Sequence, residues 1–144
     1  MKVSVYIKMD FKGNPRGKGK AAALIEFVNK EGVRHIRKQI VSMDHETKNC
    51  LALAICINAL RTLVKPCEAV IFIENQYIRN ACVMGWVERW KQDDWKRATG
   101  KQPANVEEWK QLYMLIQIHK VKIEKYVSNY ENELVEMVKG TEER

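Results

Sequence analysis

The side chains best suited to chemistry in this chain are cationic. Residues 1–41 hold ten lysines and arginines against Asp10, Glu26 and Glu31, a surplus of +7, whereas residues 42–144 hold fifteen of each sign. A basic first third of this kind draws polyanions by Coulomb steering and counterion release, which favours nucleic acid over an acidic protein or a membrane. A basic surface that only keeps the chain in solution is the plainer alternative. Lys12, Arg16, Lys18 and Lys20 stand together in a glycine-rich stretch and suit phosphate contacts. Further on, Trp86, Lys91, Trp95, Lys96 and Lys101 interleave cations with aromatic rings, a pattern that fits a second strand. Packing of Trp86, Trp90 and Trp109 against one another is the commoner use of tryptophan, and Asp93 and Asp94 dilute that charge. Thiol and metal chemistry find less support. Cys50, Cys56, Cys67 and Cys82 form no Cys-x-x-Cys pair and have no histidine at zinc-finger spacing, so they read as reduced, buried residues. His35, His45 and His119 lie far apart and read as surface or hydrogen-bonded core residues.

At 144 residues and 46% apolar composition, the chain reads as a single domain over residues 1–139, with a disordered tail at 140–144. No apolar run approaches the roughly 20 residues of a bilayer crossing, and the Met1 end lacks a charged-then-apolar leader pattern. A soluble, cytoplasmic protein is the expectation.

Val3, Val5 and Ile7 alternate with Ser4, Tyr6 and Lys8 as in a half-buried strand, and Lys12 to Lys20 reads as a loop. Ala21–Val28 and Val33–Val41 around Asn29-Lys30-Glu31-Gly32 read as a hairpin. Asp44 or Thr47 caps a helix to about Leu63, Pro66 stops it, and Cys67–Ile73 is a buried strand. A helix from Gln76 to Trp90 precedes a polar stretch from Lys91 to Asn105. A helix over 106–118, a strand over 121–126 and a helix over 129–138 follow. Three strands, a helix, a strand, helices, a strand and a helix predict an α/β mixed sheet flanked by helices.

Several runs in that order resemble the ribonuclease H (type 1) family across nearly the whole chain. Val3-Ser4-Val5-Tyr6 with Gly13-Asn14-Pro15 resembles its first strand and following loop, and Thr47 to Leu63 its first helix. Glu74-Asn75-Gln76-Tyr77 resembles the Asp-Ser-Gln-Tyr after its fourth strand, and Trp86 to Trp109 its basic handle. Glu131-Asn132-Glu133 resembles the opening of its last helix. The resemblance implies the ribonuclease H-like fold, a five-stranded mixed sheet flanked by helices.

The family cuts the RNA strand of RNA/DNA hybrids with two magnesium ions held by four carboxylates, since paired hard cations need several oxygen ligands. Aligned without gaps, the first aspartate position is Lys8 and the helix glutamate position is Ala52, while Glu74 and Glu136 replace the two remaining aspartates. Asp10, two strand residues on, lies about 6 to 7 Å from the Lys8 position. Glu46 precedes Ala52 by about 9 Å of helix and cannot replace it. The family's histidine-bearing glycine loop is missing, since Ser128-Asn129-Tyr130 leads straight into Glu131. An ammonium projecting between Glu74 and Glu136 would stand in for the cations. Asn14 and Gln76 match family residues that bond the minor groove.

The expectation is a pseudoenzyme that binds RNA/DNA hybrid or double-stranded RNA without two-metal cleavage. No metal or small-molecule cofactor is expected, and neither is a membrane partner. The alternatives are a protein-interaction module on the same fold, and an atypical magnesium- or manganese-dependent nuclease using Asp10, Glu74 and Glu136.

Overall fold

The computed structural model describes residues 1–97 and 99–140. Its elements are β1 (Lys2–Gly13), β2 (Arg16–Val28), β3 (Arg34–Thr47), α1 (Lys48–Arg61), β4 (Glu68–Phe72), α2 (Gln76–Val83), α3 (Trp86–Gln92), α4 (Val106–Ile118), β5 (Lys120–Glu124) and α5 (Glu131–Gly140). They form one five-stranded sheet in the order β3-β2-β1-β4-β5. β1, β2 and β3 are antiparallel, and β1, β4 and β5 are parallel. Of the tail expected at 140–144, Gly140 closes α5 and residues 141–144 lie outside the described residues.

The strand period of two sorts β1 between two cores. Val3, Val5 and Ile7 are at most 2% exposed and join the main core with α1, Trp109 and Leu112 of α4, and the inward residues of β2 and β4. Each such side chain contributes about 1.5 to 3 kcal/mol by burial. Tyr6, on the other face, packs with Ala22, Leu24, and Leu134 and Val138 of α5, which stand one helical turn apart. The helix α1 is buried on most of its circumference, from Cys50 and Leu51 to Ala59 and Leu60. Of its two candidate caps the structure uses Thr47, whose Oγ1 accepts a hydrogen bond from the Cys50 amide at 3.1 Å.

The Lys12–Lys20 stretch, read as a loop, is instead the paired end of a long hairpin. The ladder continues through Lys12↔Lys18 and Gly13↔Gly17, leaving only Asn14 and Pro15 outside the strands. A Cβ on Gly17 would lie 1.8 Å from the Lys12 carbonyl oxygen, and one on Gly13 would lie 2.4 Å from that of Arg16. These glycines allow two strands to close on each other, which composition alone does not separate from a loop. β3 likewise runs on to Thr47. The helix expected from Gln76 to Trp90 is two helices, parted at Gly85, whose φ of 74° is left-handed.

All four thiols are free; three are buried and Cys82 is half-buried. Burial pushes Cys50 and Cys82 up to about 11, which keeps them protonated and poorly nucleophilic at neutral pH. His119 is buried, and its Nδ1 accepts the Cys67 amide at 3.1 Å, joining the starts of β4 and β5.

Candidate functional site

Strand alternation places Lys8 on the same sheet face as Tyr6, beneath the start of α5. Its Nζ lies 3.1 Å from Oε2 and 3.3 Å from Oε1 of Glu131, and 5.2 Å from the centre of the Tyr126 ring. The Tyr126 hydroxyl donates to Oε1 of the same carboxylate. That hydrogen bond, then the one from Lys8, hold the Glu131 carboxyl below its ordinary range. Burial, then the hydrogen bond to Glu131, then the Glu131 and Glu74 charges push the Tyr126 phenol up. Glu131 also sits in the first turn of α5, where a negative charge meets the positive end of the helix.

This differs from the expected arrangement in one respect: the carboxylate partner of Lys8 is Glu131, not Glu74 and Glu136. At about 100° per residue, Glu136 stands roughly 140° around α5 from Glu131, and it is exposed. Glu74 lines a cavity of about 60 Å³ beside Lys8, Lys48, Asn75 and Tyr126. Asn75 positions this corner. Its Oδ1 caps α2 by accepting the Ile78 amide at 2.9 Å, and its Nδ2 donates to Asn49 Oδ1 of α1 at 3.0 Å. Ala52 is fully buried in the main core.

Asp10 does not join Glu74 and Glu136. It faces Lys20 across the hairpin and shares a separate groove of about 210 Å³ with Lys12, Lys18, Lys20 and Ser42. Among the described residues no group of three or more histidine, cysteine or carboxylate side chains is placed to hold a metal ion. The donors beside Lys8 are Glu74 and a Glu131 already bonded to an ammonium and a phenol. That set does not fit a pair of divalent cations.

The other candidate residues divide into exposed and packed groups. Lys12, Asn14 and Lys18 are exposed at the end of the β1–β2 hairpin, as are Gln76 at the start of α2 and Lys91, Lys96 and Lys101 further along. Arg16 is exposed but bonded within the sheet, 3.6 Å from Glu46 and 3.2 Å from the His45 carbonyl oxygen. Trp95 is only 8% exposed and meets Tyr113 edge-on at 5.7 Å, so its face is not open to a base. Trp86 is half-buried against Tyr77, and Tyr77 and Trp90 both meet Trp109 edge-on. The tryptophans of this region hold α2, α3 and α4 together. Sequence reasoning missed Tyr126 and the pairing role of Glu131; the only signal was Glu131 at the head of the Glu-Asn-Glu run.

Strand order, mixed pairing and the position of this corner beside the middle of β1 and just past the carboxyl end of β4 define a ribonuclease H-like α/β domain. The comparisons agree and go further: the family model described as RNase H matches residues 2–137, and the chain belongs to the RNase H family. Ribonuclease H of Acetivibrio thermocellus is 33% identical over 133 residues, covering 92% of this chain and 86% of the relative. The crystal structure of LC9-RNase H1, a type 1 RNase H with the type 2 active-site motif, matches with a TM-score of 0.75 and 25% identity, over 96% of this chain and 72% of that one. A foamy viral protease-reverse transcriptase in complex with RNA/DNA hybrid shares the fold over 95% of this chain and 18% of its own, with a TM-score of 0.67 and 10% identity.

Proposed function

We propose that this RNase H family domain binds an RNA/DNA hybrid or RNA duplex and does not cleave it through paired divalent cations. The observation that carries the reading is the Lys8 ammonium on Glu131 and Tyr126, where the family resemblance calls for a metal-binding aspartate. An ammonium at that point repels a divalent cation and occupies one of the two nearby carboxylates. Ala52, buried and with only a methyl side chain, offers no replacement carboxylate. Binding is supported by the exposure of Lys12, Asn14 and Lys18 on the hairpin, of Gln76, and of Lys91 in α3 with Lys96 and Lys101 beyond it. The foamy viral relative of the fold is a complex with RNA/DNA hybrid, which supports that class of ligand.

The test is a gel shift and a cleavage assay on one labelled hybrid. The reading predicts a complex at low salt that weakens steeply as salt rises, with the hybrid intact in magnesium or manganese. Absence of any complex with hybrid or duplex, or metal-dependent cleavage by the unaltered protein, overturns it. The Ribonuclease H relatives make that second outcome the natural rival.

A further inference from the structure

A second groove lies beside the Lys8 corner, between α2 and the end of β5. It encloses about 600 Å³ and is lined by Gln76, Arg79, Asn80 and Lys125, with Glu124 its single carboxylate and Phe72 and Val83 among its apolar walls. It opens at the carboxyl ends of the parallel strands β4 and β5, where open α/β sheets commonly take ligands, and its size is that of a small-molecule site. Gln76, Arg79 and Asn80 stand three and four residues apart, so α2 turns them to one side. The Arg79 Nε is buried and has no hydrogen-bond partner, although buried donors are ordinarily satisfied. Among the described residues neither Arg79 nor Lys125 lies within 4.0 Å of a carboxylate, unlike Lys8.

We propose that this groove is a phosphate subsite, in which Arg79 and Lys125 hold one backbone phosphate of a nucleic-acid strand that continues past the Lys8 corner. A guanidinium presents paired donors matched to phosphate oxygens, and an ammonium adds a point charge. Gln76 and Asn80 supply amides for the adjoining sugar hydroxyl. The inference rests on the nucleic-acid reading above and adds the place where the strand is gripped.

The experiment measures fluorescence anisotropy of a labelled RNA/DNA hybrid over a salt series, with the wild type, Arg79→Gln, Arg79→Lys and Lys125→Gln. It is joined to an amide NMR titration of the wild type with inorganic phosphate and with adenosine monophosphate. Arg79→Gln and Lys125→Gln should each weaken binding and lower the slope of log affinity against log salt by a fraction of one, because the two cations share one phosphate worth about 0.9 in that slope. Arg79→Lys should keep the slope while losing affinity. Lys125 follows β5 outside regular structure, so its variant decides the matter even if Arg79→Gln fails to fold. Unchanged affinity and slope in folded variants overturn the subsite and leave the nucleic-acid reading standing. Phosphate-induced shifts at residues 76–80 in a protein that ignores hybrid overturn the strand as occupant, and with it both proposals.

Discussion

The Lys8 corner and the α2–β5 groove lie side by side, yet their cations face different things. Lys8 is bonded to Glu131, stands over Tyr126 and has Glu74 beside it, so its charge is answered within the chain. Arg79 and Lys125 face a wide groove with one carboxylate, and a buried guanidinium nitrogen is left unbonded. The difference teaches that a cation's sequence position does not make it a ligand-binding group. What decides is whether the fold supplies its counter-charge.

The sharpest way to break this contrast is to restore the acid that the family resemblance places at Ala52, in the core beside the sheet. Ala52→Glu places a carboxylate at a fully buried position, and we expect a stability loss of about 3 to 5 kcal/mol by urea denaturation. A loss below about 1 kcal/mol would mean that the position reaches water or a cation after all. Magnesium should recover part of the loss only when Lys8→Asp is also present, because only then is the repelling ammonium gone.

Removing the ammonium alone is the next test. The Lys8 and Glu131 side chains are 27% and 39% exposed, so Lys8→Met should cost no more than about 1 kcal/mol. Its effect on hybrid affinity should be smaller than that of Arg79→Gln; the reverse order would invert the contrast between the two regions.

The smallest expected effect is in the acid limb of stability. The Glu131 carboxyl titrates lower in the folded protein than in the unfolded chain, so its contribution is present above the unfolded value of about 4.3 and is lost as pH falls through the folded one. Between pH 6 and pH 3 the melting temperature of Glu131→Gln should therefore fall less than that of the wild type. Equal slopes would show that Lys8 and Tyr126 do not hold the ionised form.

How far the sequence foretold these regions follows from the range of the interactions. The alternation of Val3, Val5 and Ile7 with Tyr6 and Lys8 is local, and it set both the strand and the face on which Lys8 would stand. Thr47 was one of two caps the sequence offered, and local geometry chose it. The partner of Lys8 lies 123 positions away, and no local pattern separates Glu131 from Glu136 as its carboxylate. Trp95 carries the same letter whether it greets a base or packs on Tyr113, and only the tertiary structure distinguishes the two. Arg79 was within reach of sequence reasoning, since it stands three residues after Gln76 on a helix. The width of the groove it lines was not.

The central claim is that this RNase H family domain holds a hybrid without cutting it, because Lys8 occupies the place of a cation. The most direct measurement incubates saturating wild-type protein with end-labelled RNA/DNA hybrid in magnesium and, separately, in manganese, with binding confirmed by anisotropy in the same tube. The account predicts bound and intact hybrid in both. Bound hybrid that yields cleaved RNA only when the metal is present would contradict it.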